Sequence, residues 1–326
     1  MPGFRSRLLM LLLLFGPAAG QQEPNFRSQG NLVPVPTLVR NADGNAVYGL
    51  QAEDFMIEDD GVGQVVHLDE PAEAEPISLV IAVQVGRRAE REFGRMAGLA
   101  AMLDPVLSGR NEAALLLFDS KLNLVHDFTN QADVIEEDLK NLESGDSGAA
   151  ILDAVAYSAK ILGRRPEGRL RVLLLISETR DHGSHFAKID DAVRLVGVTH
   201  TLVYALPFAP YISQQLDTAR GANQDEWGPT MDIIEKLAAA RQAMRKNSAK
   251  ALASMTGGEY ERFATRKGFE SNMVSFANHL NSRYRLSFEP KNPHPGLHRI
   301  QVRLKHADSH QTVLFRSTYW VAKSGR

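Results

Sequence analysis

Cysteine is absent from all 326 residues. That excludes disulfide staples, thiolate metal sites, cysteine nucleophiles and lipid attachment through an N-terminal cysteine, so the fold must hold by packing alone. An excess of one charge sign is missing too. Lys and Arg number 37 against 39 Asp and Glu, a formal net charge of −2, which leaves no global field to recruit nucleic acid or an anionic membrane surface. Long apolar runs are scarce. The run from Leu8 to Phe15 is too short for a comfortable membrane span. With Arg5 and Arg7 before it and small residues up to Gly20 after it, residues 1–20 read as an export signal cut near Gln21, an uncleaved anchor being the alternative. No comparable run follows, so the mature chain is expected to lack a membrane span and to be exported, periplasmic or extracellular. Nucleotide and nucleophile signatures are also lacking: there is no G-x-S-x-G elbow, no G-x-x-x-x-G-K-[ST] and no G-x-G-x-x-G opening a helix.

What is present is a chain whose hydrophobic content, 44%, suffices for a buried core. Residues 21–72 show β-type alternation around turns at Asn41 to Gly44 and near Gly61. "DEPAEAEP", Asp69 to Pro76, breaks the pattern as a linker. From Ile77 strands and helices alternate: "ISLVIAV", a helix around Glu90 to Leu107, the strand pair "EAALLLF" and "LNLVHDF", helices over 130–142 and 150–162, "RVLLLIS", a helix near 186–196, and "THTLVYAL". Continuous apolar strands between helices predict an α/β fold with a doubly wound, mostly parallel sheet covered on both faces. Phe208 to Pro229 reads as an irregular excursion, followed by one long helix from Met231 to Met255, a short strand at Glu259 to Phe263 and a helix near 269–282. Period-two alternation returns in "YRLSFEP", "HRIQVRL" and "TVLFRSTYW". The expected organisation is therefore a signal at 1–20, an N-terminal β segment at 21–72, the α/β domain at 76–283, and a C-terminal β segment at 284–326 packing with the first.

Six stretches in this order, "GLQAEDFMIEDDG", "PISLVIAV", "LLLFDSKLNLVHDFT", "GAAILDAVAYSA", "LLLISETRDHGS" and "SMTGGEYERF", resemble the von Willebrand factor A-like domains, and more closely the VWFA-related proteins of Acidobacteria. The resemblance covers nearly all of the mature chain. It implies a divalent cation at the carboxyl ends of the strands, held through Asp-x-Ser-x-Ser after the first strand, a Thr before a middle helix and an Asp after the fourth strand, oxygen donors of the kind Mg²⁺ requires. Those positions fall here on Gln84, Gly86, Arg88, Ala149 and Glu178. Only Glu178 keeps an anionic oxygen, and Arg88 brings a positive charge to the cation's place. Two unit charges about 4 Å apart at an effective dielectric near 20 repel by roughly 4 kcal/mol, and a dication doubles that. The expectation is a degenerate adhesion site without metal and without cofactor.

Two roles stay open for the adjacent arginines. Arg87 or Arg88 pairs locally with Glu178 or Asp181, or a guanidinium receives an acidic side chain from a protein partner, whose carboxylate its fork matches. The loop "SETRDHGSH" gathers Ser177, Glu178, Asp181, His182, Ser184 and His185, yet zinc would need further ligands that no other spacing provides. Asp119, Asp127 and Asp153 read as turn or helix-end residues. The sequence thus points to an exported, non-enzymatic, adhesion- or scaffold-like binding protein using the loops at Gln84 to Arg88, Ser147 to Ala150 and Glu178 to Ser184. A structural envelope component binding through the β part, or a hydrolase using residues 177–185, are the alternatives.

Overall fold

The computed structural model describes residues 32–69, 75–96, 98–208, 233–306 and 310–322. The stretch expected to be an export signal, most of the expected linker and nearly all of the expected excursion at 208–229 lie outside them. The central sheet contains β5 (Ile77–Gln84), β6 (Glu112–Phe118), β7 (Leu122–Thr129), β8 (Leu170–Ile176) and β9 (Leu202–Ala205) in the order β7-β6-β5-β8-β9. All neighbours run parallel except the edge strand β7. Every residue of β5 is buried because its two faces feed different cores. Ile77, Leu79, Ile81 and Val83 point into one cluster and Val80 and Ala82 into the other, as period-two geometry dictates for a strand covered on both sides.

The first face is covered by α1 (Leu99–Leu103) and α7 (Arg266–Asn281), whose Leu103, Phe269, Met273 and Phe276 join the first cluster; α2 (Ala132–Lys140) adds Ile135. The second is covered by α3 (Ile151–Gly163), α4 (Ile189–Val198) and α6 (Ser248–Thr256). The fold is therefore doubly wound α/β, with a β-rich part beside it. In that part β1 (Val33–Arg40) pairs with β10 (Tyr284–Phe288) and β12 (Thr312–Phe315), and β4 (His67–Asp69) lies beyond β10. A second sheet has the order β13-β11-β2-β3, from β2 (Phe55–Asp59), β3 (Val62–Gln64), β11 (Gly296–Leu304) and β13 (Thr318–Val321). Strands from both chain ends thus share each sheet, and Val35, Phe288, Phe55, Ile57, Ile300 and Val302 form the core between them. The two parts meet where Val193, Ala240 and Met255 pack on Leu297.

Three elements differ from expectation. The helix expected over 90–107 is a 3-10 turn at Glu90–Arg95 followed by the short α1, since Gly98, with φ 85°, separates them. The single helix expected over 231–255 is split into α5 (Ile233–Lys246) and α6. Asn247 lies between them with extended backbone, and its side chain accepts from Lys250 N, a capping bond that competes with continuation of the helix. The short strand expected at Glu259 to Phe263 is reduced to isolated parallel bridges, Ala205 with Tyr260 and Phe208 with Phe263.

Candidate functional site

In an open α/β sheet the crevice lies outside the carboxyl ends of the strands, at the point where the strand order reverses. Here the chain leaves β5 for β6 on one side, while β8 lies on the other. The residues following β5 and β8 therefore face each other across that crevice. Gln84, 1% exposed, spans it. Its Oε1 accepts from Glu178 N at 2.8 Å, and its Nε2 donates to Glu178 Oε1 at 3.2 Å and to Gly148 O at 3.5 Å. One neutral amide thus ties together the ends of β5 and β8 and the loop before α3.

Glu178 is the hub. Besides Gln84, its carboxylate meets Arg88 Nη1 at 3.3 Å and His182 Nε2 at 2.9 Å. The Arg88 side chain is 71% exposed and that of Glu178 16%, so the pair contributes little to stability and mainly fixes loop positions. Arg87 behaves differently. Its backbone N donates to Asp146 O at 2.7 Å, whereas its exposed guanidinium forms no ion pair among the described residues.

The surrounding loops are held by side-chain to backbone bonds. Asp146 accepts from Ser120 Oγ and from Gly148 N, and the Ser120 hydroxyl, followed by that backbone N–H, lowers its pKa below the usual carboxylate value. Gly86 lies so close to this loop that a Cβ there would stand 2.6 Å from Gly148 O. Glycine at this position answers to loop packing. Ala149 is fully buried and pairs through its backbone with His182 in both directions. Asp181 turns away from the arginines: its Oδ1 accepts from Leu152 N at 3.0 Å in the first turn of α3 and from Ser184 Oγ. Asp153, 4% exposed, collects the N–H groups of His185, Phe186 and Ala187. The segment it anchors carries Phe186, 89% exposed.

The structure therefore brings Gln84, Arg88 and Glu178 together, keeps Gly86 and Ala149 as backbone contacts, and places Arg87 and Asp181 outside that cluster. Phe186, Asp146 and the anchoring role of Asp153 were not singled out from sequence. An apolar aromatic between His185 and Ala187 is a weak signal until the loop is seen to leave it uncovered.

The divalent cation that the resemblance implies does not fit these residues. Gln84 Oε1 is already engaged by a backbone N–H, Gly86 and Ala149 offer no side-chain donor, and Arg88 and His182 approach the one available carboxylate. A serine nucleophile paired with a histidine is not formed within this loop. Ser177, fully buried, bonds to Glu178 O, and Ser184 donates to Asp181. A serine nucleophile needs a base within hydrogen-bond reach, and in this loop neither serine has a histidine there.

Strand order, the antiparallel edge and helices on both faces give the central unit the doubly wound α/β fold that the resemblance to von Willebrand A-like domains implies. No protein-family model and no curated protein sequence matches the chain. Among solved structures it is similar to BatB, a conserved hypothetical protein from Bacteroides thetaiotaomicron, with 14% identity, TM-score 0.39, and 62% of this chain and 98% of that one covered. A von Willebrand factor type A structure from Catenulispora acidiphila has 10% identity and TM-score 0.45 over 90% of this chain and 74% of that one. The pilus adhesin SpaC from Lactobacillus rhamnosus GG has 12% identity and TM-score 0.40, over 74% of this chain and 33% of that one. Among the described residues no helix is long and apolar enough to cross a membrane.

Proposed function

We propose that this chain is an exported, non-enzymatic binding protein that engages a protein partner at the carboxyl ends of its central sheet without a divalent ion. The observation that carries this reading is the division of labour between the two arginines. Arg88 is committed to Glu178, while Arg87 presents a guanidinium with no ion-pair partner among the described residues. Phe186 stands exposed on another loop of the same end of the sheet. Arginine and large aromatics are the residue types in which binding energy concentrates at protein interfaces, and a guanidinium fork suits a partner carboxylate.

Capture of partners from the source cell envelope tests this, comparing the wild-type chain with Arg87→Glu and Phe186→Ser. A species retained by the wild-type chain, and lost in both variants while their thermal midpoints stay unchanged, is the expected result. Retention that disappears in chelator and returns with Mg²⁺ but not with Zn²⁺ would sink the metal-independent mechanism. A second reading, an envelope component binding through the β part, is favoured by Met56, Val62 and Val65, which are 41%, 39% and 63% exposed on or next to β2 and β3. Capture that survives both loop variants and fails on Val65→Asp would select it.

A further inference from the structure

Away from the sheet crevice, at the seam between the β part and α5, Asp60, His294 and His298 each bring one donor atom within 4.8 Å of the others. The hairpin from β2 to β3 turns through Asp60 and Gly61, both with positive φ, as a two-residue Asp-Gly turn requires. That turn lays the Asp60 carboxylate against β11 and the loop preceding it. Its two oxygens have unlike surroundings. Oδ1 accepts from Arg299 N at 3.0 Å and from the ammonium of Lys236, a side chain only 7% exposed. Oδ2 is buried and accepts no hydrogen bond, although His298 Nδ1 lies 3.2 Å and His294 Nε2 3.3 Å from it.

His298 is held in place from both ring nitrogens. Its Nε2 lies 2.7 Å from the His294 backbone carbonyl, so that nitrogen carries the proton and Nδ1 faces the carboxylates. This is the arrangement in which a metal-bound histidine is commonly oriented by an outer partner. Asp59, with a side chain 3% exposed, places Oδ1 at 3.1 Å from the same Nδ1, and its Oδ2 accepts from the Tyr319 hydroxyl at 2.8 Å. A tetrahedral ion with ligands 2.0–2.1 Å away separates those ligands from one another by about 3.3 Å. The separations of Asp60 Oδ2 from His298 Nδ1 and from His294 Nε2, 3.2 and 3.3 Å, match that spacing. A proton on His298 can serve either Asp59 or Asp60 at a time, whereas an ion would draw on Asp60 and both imidazoles together.

We propose that Asp60, His294 and His298, whose donor atoms lie within 4.8 Å of one another, form a site for a divalent transition cation of the Zn²⁺ type, its fourth position open to water, that clasps the β2–β3 hairpin to β11. Two imidazoles among the donors select such a cation over Mg²⁺ or Ca²⁺, which take oxygen. Two carboxylates against the single Lys236 ammonium leave a net negative charge to receive it. The rings of His294 and His298 stack at 4.0 Å between centroids, so ligation turns the imidazole of His294. That side chain is 44% exposed and free of the constraints that hold the buried His298.

The test uses the full chain without an affinity tag, freed of metal and titrated with Co²⁺. One equivalent is expected to bind with the visible absorption of a tetrahedral nitrogen and oxygen site, displaced by Zn²⁺ and not by Mg²⁺, and Zn²⁺ should raise the thermal midpoint. His294→Ala, on an exposed side chain, and Asp60→Asn, which tolerates the left-handed backbone, should each weaken Co²⁺ at least tenfold with unchanged circular dichroism. The double variant His182→Ala, His185→Ala should bind as the wild type does. Absence of binding at micromolar Co²⁺, equal affinity in His294→Ala, or loss of binding in the His182 and His185 variant instead would overturn the assignment.

Discussion

Replacing Gln84 by Glu is the most direct probe of the crevice, because it exchanges an amide for a carboxylate with almost no change of shape. The introduced carboxylate would face that of Glu178, where Gln84 Nε2 now donates at 3.2 Å. Two such charges about 4 Å apart at an effective dielectric near 20 repel by roughly 4 kcal/mol. Arg88 and His182 offset part of this, Arg88 only weakly because its side chain is 71% exposed, leaving an expected loss of about 2–3 kcal/mol. For a chain of this size that corresponds to a midpoint about 5 °C lower. Repulsion raises the apparent pKa of the carboxyl pair in the folded state above the ordinary value of about 4.3. The penalty is then absent below the unfolded-state pKa, grows as pH rises through the folded value, and is complete above it. Scanning calorimetry of variant and wild type at pH 7.5 and 4.5 should show the difference shrink on acidification. Gln84→Met, which strands the Glu178 N–H, should cost about 1–3 kcal/mol equally at both pH values. A Gln84→Glu deficit that is missing at pH 7.5, or that widens at pH 4.5, would refute the crevice electrostatics described here.

Three further outcomes are expected. Asp153→Ala removes the acceptor of three backbone N–H groups and should cost about 3 kcal/mol, with hydrogen exchange accelerating over residues 185–187 and Asn restoring part of the loss. Glu259 is buried, which raises its pKa, yet His279 at 2.9 Å, Arg283 and Arg40 outweigh this and lower it overall. Its contribution is therefore present above the ordinary carboxylate pKa and lost as pH falls through the lowered value, so Glu259→Gln should flatten the acid limb of a urea stability profile and cost about 3 kcal/mol at pH 7. Asn247→Ala deletes the cap of α6 and should cost about 1 kcal/mol by chemical denaturation.

The central sheet was legible because its signal is local: an eight-residue apolar strand such as Ile77–Gln84 can be satisfied only by cover on both faces. The position of the crevice followed from the same pattern, since β5 ends in Gln84 and β8 runs directly into Ser177-Glu178. Helix continuity was less legible. The apolar spacing on either side of Asn247 is helical, and a single side-chain cap decides the break. Which arginine pairs with Glu178 could not be read from adjacency, because it depends on the turn at Gly86 against Gly148. Least legible was the seam at Asp60. The spacing of His294 and His298 is visible in "HPGLH", but their acidic companions stand near the other end of the chain and meet them only through the register of β2 on β11, where Asp59 opposes Ile300.

Charge supply separates the two places where a cation could be sought, and it makes them experimentally distinguishable. At the crevice one carboxylate, Glu178, meets a guanidinium and an imidazole, so any added dication would enter a region already neutral or positive. At the seam two carboxylates, Asp59 and Asp60, stand near one ammonium, which Lys236 donates to Asp60 Oδ1, and the other Asp60 oxygen is left without a donor. A chelator should therefore act on the seam, lowering the thermal midpoint of the wild-type chain but not of His294→Ala, while binding that depends on Arg87 continues. If chelation instead abolished Arg87-dependent binding in His294→Ala as well, the cation would belong to the crevice, and the arrangement of Gln84, Arg88 and Glu178 would have to open to admit it.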